Sequence, residues 1–525
     1  MVQHVVLTGS NLTPEIVVQI ANGATVSLHP AAFETMAKGR EVVDRYFRES
    51  IPAYGLTTGL GMRADQMLSP EVAAEFSYRM VRGRAQALGE LLSAKQARAV
   101  MAIRLNTLLS GAAGASAAVA QALVEVLNHG LIPAMPRIGS IGTGDLVAMA
   151  SVAHALIGEG DMLVDGHRVV ASVALEHEGL EPLLLQPKDG AVLCNNTAFS
   201  TGLAALAFSG ARRAFAALQV AGALSLEGFE GNLSPFEPAV LRARPQPGQV
   251  EAGDQIRSLL SNAAFESKRS PSAVAHPPEP ERTRFGRRLQ DPLSFRCMAQ
   301  VHGAAIAALN ELRDELVIDL NSSPDNPVVL IDEGVCLSSG NFHLPRLTQT
   351  LDGVARSLGW CATDSVSRVQ RLMHEPHSGL PPLLTADLPN AAGFGPLLKP
   401  AEALRAEIIH LSNPVPILSS HNADGIEDSV TFSALAATKL ADLVNRLELL
   451  VAFELVAACQ AIDLRQGNRR QLGVEPELGR ALTGVYQHVR ALSHFITEDR
   501  PIGRELEQIA QTLVASGLLS ELIYE

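Results

Sequence analysis

The chain lacks an excess of basic residues and lacks uninterrupted apolar runs, two features that would assign it to a particular class of protein. Of its 525 residues, 42 are Lys or Arg and 55 are Asp or Glu, which gives a formal net charge of −13. This balance argues against non-specific binding to nucleic acid or to anionic membranes. Charged residues interrupt the apolar stretches, and the first residues have neither a basic start nor a long apolar core. We therefore expect no membrane span and no secretory signal.

Cysteine and aromatic residues are also scarce. The five cysteines are scattered and include no CxxC pair, so the sequence indicates neither a disulfide framework nor a metal site. Scattered reduced thiols are typical of the cytosol, and we expect a soluble cytoplasmic protein. Aromatic residues make up only 4% of the chain, with Trp360 as the single tryptophan.

Long apolar runs with helical spacing are abundant. Residues 94–130 place apolar side chains three and four positions apart and are interrupted at SGAAG, which predicts two helices. Residues 199–231 and 430–463 are similar, and Ala and Leu dominate throughout. Only VSLH and NPVVLIDEGVCLSS resemble strands. The pattern predicts a mainly α fold, a bundle of long helices whose faces are covered by other helices or other subunits.

The predicted organisation has two parts. We expect a smaller mixed N-terminal region over residues 1–215 and a long-helix bundle with the C-terminal region over residues 216–525. Residues 267–288 are rich in Pro, Ser and Arg. Such a composition is typical either of a long mobile loop inside one architecture or of a domain linker, and both interpretations stay open.

A series of short motifs occurs in a fixed order over nearly the whole chain. They include AYGLTTGLG, LNHGLIPAMPRIGSIG, KDGAVLCNNTA, LQDPLSFRCMAQVHGA, SSGNFH and TEDRPIG. Each is weak alone, but the ordered set resembles the histidine and aromatic amino-acid ammonia-lyase family. The resemblance implies a long antiparallel helical bundle of the ammonia-lyase type. It also implies a homotetramer in which three subunits build each active site.

The loop PRIGSIGTGDLVAMA departs from this family at the residues that carry its chemistry. Family members cyclise an internal Ala-Ser-Gly tripeptide to the electrophile methylideneimidazolone, and dehydration of the serine leaves an unhindered methylene. Here the loop is one residue shorter and contains Gly142, Thr143 and Gly144. Threonine would leave a methyl group on the electrophilic carbon. We interpret this as a degenerate cofactor loop and expect no cofactor, with cyclisation of Thr143 as the alternative.

Two further departures agree with this interpretation. Leu293 stands where the family has a tyrosine beside the cofactor, and Asn196 replaces a glycine. Losing the cofactor together with its neighbours indicates a coordinated change of chemistry. Decay of an unused gene is the other interpretation.

The remaining active-site positions of the family are largely retained. Tyr54 matches the tyrosine that removes the β-proton, and Asn195 matches the asparagine beside the reacting amino group. Arg296 matches the arginine that binds the substrate carboxylate, for which a planar fork is well suited. Three more residues fall on active-site segments: Gln290, Asn326 and Phe342. Each alone is more often a packing or surface residue, but the ordered set predicts a substrate site.

Three charged residues indicate which ring the substrate carries. Glu427 matches the acidic residue that histidine ammonia-lyases have where phenylalanine and tyrosine lyases have glutamine, and a carboxylate suits a proton-bearing imidazole. Arg84 stands where many members have histidine, and Lys399 stands where the family is apolar. Two added cations near a ring pocket indicate an electron-rich ring atom such as sulfur. Solvated surface charges are the alternative.

An enzyme without the electrophile needs a substrate that already carries a good leaving group. A trimethylammonium group leaves as neutral trimethylamine and has no lone pair with which to attack an electrophile. The sequence resembles the cofactor-free ergothionase branch of the family. This implies elimination of trimethylamine from ergothioneine, a histidine-derived betaine with a ring sulfur, to give thiourocanate. Cationic trimethylammonium groups often lie against aromatic faces, and the candidates are Tyr54, Phe342 and Phe394.

In this interpretation Arg296 holds the carboxylate, Glu427 and Lys399 engage the ring, and Tyr54 is the base. Two alternatives stay open. One is a histidine or aromatic ammonia-lyase, or an aminomutase, with an atypical cofactor derived from Thr143. The other is a catalytically inactive paralogue that binds an amino-acid derivative or a partner protein.

Overall fold

The protein is described by a computed structural model that covers residues 3–53, 56–58, 67–260, 290–385, 390–471 and 478–524. The chain folds into two compact units, each built from three separate stretches of sequence. The first unit comprises Met1–Ser209, Leu312–Leu351 and Val415–Thr438. The second comprises Gly210–Glu311, Asp352–Pro414 and Lys439–Glu525. The division at residue 215 stays a prediction.

The fold is mainly helical, as predicted. In chain order the described helices are α1 (Pro14–Ala21), α2 (Pro30–Arg48), α3 (Pro70–Arg84), α4 (Ala94–Leu108), α5 (Ala117–Asn128), α6 (Leu146–Leu156), α7 (Ala171–His177), α8 (Asp189–Cys194), α9 (Ala198–Phe229), α10 (Pro238–Arg242), α11 (Pro247–Leu260), α12 (Leu293–Arg296), α13 (Met298–Leu320), α14 (Pro345–Leu372), α15 (Glu375–Ser378), α16 (Leu398–Leu411), α17 (Ser433–Gln471), α18 (Arg480–Leu492), α19 (Gly503–Ile509) and α20 (Glu521–Tyr524). The helix pair predicted around SGAAG is confirmed as α4 and α5.

All described strands lie in the first unit, which is therefore the mixed part of the protein. They are β1 (His4–Leu7), β2 (Thr25–Leu28), β3 (Leu88–Leu91), β4 (Ile132–Pro133), β5 (Pro136–Ile138), β6 (Asp161–Val164), β7 (His167–Val170), β8 (Val328–Leu330), β9 (Val335–Leu337), β10 (Ser419–Asn422) and β11 (Glu427–Ser429). The pair β1–β2 is parallel, and the pairs β3–β5, β4–β6, β6–β7, β8–β9 and β10–β11 are antiparallel. The strand-like pieces of the sequence correspond to β2, β8 and β9.

Local sequence sets the helix ends that matter for the site. The side chain of Ser69 accepts a hydrogen bond from the backbone N–H of Val72 and starts α3, which ends at Arg84. Helix α8 ends at Cys194, and α9 begins at Ala198, whose N–H donates to Oδ1 of Asn196 at 3.0 Å. The side chain of Asn196, which replaces the family's glycine, therefore caps the start of α9.

The helical core of the second unit contains a buried ion pair. Arg368 of α14 contacts Glu454 of α17 through Nε–Oε1 at 2.6 Å and Nη2–Oε2 at 2.9 Å, and both side chains are fully buried. Ser225 of α9 donates to the same carboxylate at 2.8 Å. A bidentate pair with a further donor satisfies charges that would be costly to bury alone.

Within the described ranges, one apolar run, Asp189–Phe229, is long enough to cross a membrane by length and composition. Of its most apolar window, 83% is buried inside the protein. That is the environment of a helix in a protein core.

Candidate active site

The loop between β5 and α6 has a backbone that requires glycine on both sides of Thr143. Gly142 and Gly144 have φ angles of +79° and +85°, in the left-handed region that favours glycine. A Cβ on Gly142 would overlap Oγ1 of Thr431, and one on Gly144 would overlap Oδ1 of Asn195. The loop is therefore shaped to lie against these two side chains.

Asp145 anchors the end of the loop. Its buried carboxylate accepts hydrogen bonds from Oγ of Ser140 and from the backbone N–H and Oγ of Ser200, the last two at 2.8 Å. Burial raises the pKa of the Asp145 carboxyl, and the hydrogen bonds act against that rise. Ser433 donates to Ser200 at 2.9 Å. This aspartate holds the shortened loop onto the starts of α9 and α17.

The backbone of the central loop residues already has partners within the chain. Thr143 is buried and pairs with His343 in an isolated antiparallel bridge. The carbonyl of Gly142 accepts from Oγ1 of Thr431 at 2.9 Å, and the carbonyl of Gly144 accepts from the N–H of Asn196 at 3.0 Å. These contacts fix the position of residues 142–144 in the loop.

Residues 142–144 do not fit the electrophile that the family resemblance implies. The serine whose dehydration supplies the methylene is absent, and threonine stands in the middle of the triplet. Dehydration of this threonine would leave a methyl group on the carbon that a nucleophile has to attack. We therefore derive no chemical step through such a group.

Three helices of the first unit pack together with their ends at this loop. Helix α3 ends at Arg84, α6 begins after Asp145, and α8 ends before Asn195. The Nδ2 of Asn195 donates to the carbonyl of Asn326 at 3.3 Å. The Cβ of Phe342 lies 3.6 Å from the position that a Cβ on Gly144 would take. The structure thus gathers Asn195, Asn326 and Phe342 around the loop.

The amide of Asn326 is held in one orientation. Its Oδ1 accepts from the backbone N–H of Ser339 at 2.9 Å and from Oγ of Ser338 at 3.4 Å. Because both contacts use the oxygen, the Nδ2 group is left to donate elsewhere. Its neighbour Asp325 is fixed by the fully buried Arg104, through Nη2–Oδ1 at 2.7 Å.

The segment after Glu427 contacts the loop at Thr431 and contacts His343, the bridge partner of Thr143, at Ser429. Glu427 and Ser429 lie two residues apart in β11 and therefore share one side of the strand. Thr431 binds the carbonyl of Gly142, and Oγ of Ser429 lies 3.2 Å from Nε2 of His343. Glu427 is half-buried. Burial raises the pKa of its carboxyl, and the positive charge of Arg84 acts against that rise.

Four predicted site residues belong to the second unit. Arg296 ends α12 and is half-buried, and within the described chain its buried Nε has no hydrogen-bond partner. Gln290 and Lys399 are exposed. Phe394 is fully buried, so its ring is not exposed for the predicted contact with a trimethylammonium group. Leu293, in place of the family's tyrosine, is 60% exposed.

Tyr54 lies outside the described residues, as does the segment 267–288. Hydrogen bonds join the residues before Tyr54 to Thr57. The Oγ1 of Thr57 donates to the carbonyl of Ile51 at 2.6 Å and accepts from the N–H of Ala53 at 2.8 Å. Leu56 packs into a buried cluster with Val43 and Val329.

Sequence reasoning missed several residues that shape this site. They are Ser140, Ser200, Arg104, Asp325, His343, Ser429 and Thr431. Ser140 donates to Asp145 five positions away, and each of the others acts through a contact with a residue distant in the chain. A single sequence carries no signal for such pairings. The anchoring role of Asp145 is hidden for the same reason, because its partner Ser200 lies on another helix.

Known proteins match the chain over almost its whole length. A family model described as aromatic amino acid lyase matches residues 12–491. A histidine ammonia-lyase from Anaeromyxobacter dehalogenans is 33% identical over 98% of this chain and 99% of that protein. The solved ergothionase from Treponema denticola, in complex with desmethyl-ergothioneine sulfonic acid, is 28% identical with a TM-score of 0.88, over 98% of this chain and 99% of that one. A tyrosine aminomutase from Streptomyces globisporus is 30% identical with a TM-score of 0.87, over 99% and 98%.

Proposed function

Because the chain belongs to the aromatic amino acid lyase family and is a carbon–nitrogen lyase, we propose that it eliminates trimethylamine from ergothioneine without a methylideneimidazolone. One observation carries this proposal. The loop that should supply the electrophile lacks its serine and has Thr143 in its place. A substrate with a trimethylammonium group needs no electrophile, because its leaving group departs as a neutral amine. The likeness to the Treponema denticola ergothionase supports the same assignment.

The elimination assigns one task to each group. Tyr54, as a phenolate, takes the β-proton, and the electron pair of that C–H bond becomes the Cα–Cβ double bond. The Cα–N bond breaks, and its pair leaves with trimethylamine. The product is thiourocanate. A tyrosine has an ordinary pKa near ~10, so it needs positive charge or N–H donors nearby to ionise.

The carboxylate of the substrate is assigned to Arg296. A guanidinium fork binds a carboxylate through two parallel hydrogen bonds. The buried Nε without a partner in the described chain supports this role, since a ligand would satisfy it. The amides of Asn195 and Asn326, which contact each other beside the loop, are assigned to the reacting part of the substrate. Glu427 and Lys399 are assigned to the thioimidazole ring.

We also propose a cytoplasmic homotetramer with shared active sites, which the family resemblance implies. The surface supports an interface beside Glu427, because Ile417, Leu418 and Ile426 are 99%, 53% and 68% exposed. Exposed apolar side chains on and beside one hairpin are typical of a protein contact. Dilution to monomers should then abolish activity before it abolishes helicity, and active monomers isolated by sizing would contradict shared sites.

The test is a pair of ultraviolet time courses, one with ergothioneine and one with histidine, with trimethylamine and ammonia assayed in parallel. Growth of the conjugated thiourocanate band with release of trimethylamine is the expected result. Ammonia released only from histidine would overturn the proposal.

A second candidate is a histidine ammonia-lyase or an aminomutase with a cofactor made from Thr143. The identity of 33% to a histidine ammonia-lyase and of 30% to a tyrosine aminomutase favours it. Turnover of histidine or tyrosine would be its signature. An inactive binding paralogue would instead tolerate replacement of Tyr54 and Arg296 without loss of its role.

A further inference from the structure

The buried guanidinium of Arg104 joins the two elements that carry Asn195 and Asn326. Its Nη2 donates to the carbonyl of Val192 in α8 at 2.5 Å and to Oδ1 of Asp325 at 2.7 Å, and its Nη1 donates to Oδ2 of Asp325 at 3.2 Å. Val192 lies three residues before Asn195, and Asp325 directly precedes Asn326. Arg104 is fully buried. One side chain therefore sets the distance between the backbones of the two asparagines.

The contact between the two asparagines is too long to set its own geometry. The Nδ2 of Asn195 lies 3.3 Å from the carbonyl oxygen of Asn326, beyond the usual range of an N–H···O hydrogen bond. On its other side, Oδ1 of Asn195 occupies the space that a Cβ on Gly144 would need. The amide therefore lies between the loop and Asn326, and its position depends on how firmly the two backbones are held.

A second buried cation holds the same turn from the other side of Asn326. Lys188 lies directly before α8, and its Nζ donates to the carbonyls of Ala113 and Pro327, the latter at 3.1 Å. Arg104 and Lys188 thus hold the residues on both sides of Asn326. Arg104 differs from Lys188 because it also binds the last turn of α8, which leads directly into Asn195.

The fork of an arginine suits this task better than a point charge. A guanidinium reaches both oxygens of a carboxylate and donates to a third acceptor, whereas the single ammonium of lysine does not reproduce this geometry. We propose that Arg104 is a positioning residue of the lyase: without touching the substrate, it holds the amide of Asn195 at the place where the reaction occurs. The task of Asn195 at the reacting atoms rests on the proposed function.

The test compares the same substitution at two buried arginines of α4. Arg104→Lys keeps a cation beside Asp325 but loses the fork. The control is Arg98→Lys, which removes a similar set of bonds far from the loop. Arg98 donates to three carbonyls in or beside α1 and α5, at 2.7 or 2.8 Å, namely those of Ile20, Ala24 and Leu127.

Both variants should unfold at lower urea concentrations than the wild type, because both lose buried hydrogen bonds. Only Arg104→Lys should lower kcat, by about tenfold to a hundredfold, with KM within about twofold of the wild-type value. The reason is that a displaced amide weakens the transition state more than it weakens binding. A kcat of Arg104→Lys equal to that of Arg98→Lys would overturn the inference.

The double variant of Arg104→Lys with Asn195→Ala separates positioning from a general loss of structure. If Arg104 acts through Asn195, its replacement should lower kcat by less than about twofold once the amide is gone. Full, independent effects that multiply in the double variant would contradict this role.

A charge-neutral pair keeps the test informative if Arg104→Lys does not fold. Arg104→Gln combined with Asp325→Asn removes both buried charges together and leaves neither uncompensated. This pair should show the same fall in kcat, and a wild-type kcat in the folded pair variant would overturn the inference.

Rates are measured as release of trimethylamine from ergothioneine or of ammonia from histidine, whichever substrate the wild type consumes. Ammonia released only from histidine by the wild type would refute the proposed substrate and leave the comparison of the arginine variants intact. An unchanged kcat in Arg104→Lys would refute the role of Arg104 and leave the substrate assignment intact.

Discussion

Replacing Gly144 with alanine should separate the conformational use of this glycine from its contact with Asn195. A left-handed residue with a Cβ costs ~1–2 kcal/mol of unfolding free energy. An alanine at position 144, where φ is +85°, would incur this cost. The Cβ of that alanine would also lie closer than 3.0 Å to Oδ1 of Asn195. To reach ordinary contact the amide must retreat by about 1 Å, and a misplacement of that size costs ~10²-fold in rate.

Gly130 offers a matched control. It has φ +72°, and a Cβ there would meet nothing within 4 Å. Gly130→Ala should therefore lose the same ~1–2 kcal/mol in urea denaturation while keeping the rate of trimethylamine release. Gly144→Ala should lose both stability and rate. Equal rates in the two variants would refute the placement of Asn195 against the loop.

Three further predictions concern buried charges. Arg368→Met leaves Glu454 as an uncompensated buried charge and should cost about 3–5 kcal/mol of unfolding free energy in urea, most of which the double variant with Glu454→Leu should recover. Burial raises the pKa of Asp319 to about 7 from 3.8, so the folded state loses stability as pH rises between these values. Asp319→Asn should therefore raise the denaturation midpoint more at about pH 8 than at about pH 5, and an equal gain at both would contradict this. Arg84→Met removes a charge that lowers the pKa of Glu427, so the acid limb of the kcat/KM profile should move to higher pH.

Much of the helical fold is readable from the sequence. The apolar spacing over residues 94–130 predicts α4 and α5, and that over residues 199–231 predicts α9, because long helices repeat one pattern many times. The paired strands β3–β5 and β10–β11 were missed. They are three or four residues long, which is too short for an alternating pattern to stand out.

The site was only partly predictable. Motif order identified Asn195, Asn326, Phe342 and Glu427, which the structure places on elements that contact the loop. It did not reveal that Thr143 pairs with His343. That contact joins residues 200 positions apart in the chain, and local sequence does not encode it. Roles for residues of the second unit stay predictions from the family resemblance.

The most direct test of cofactor-free elimination is the mass of the loop peptide from protein that is active on ergothioneine. The peptide that spans residues 142–144 should have its unmodified mass in a preparation that releases trimethylamine. A mass lower by two waters in the active protein would mean that Thr143 does cyclise, and it would contradict the central claim.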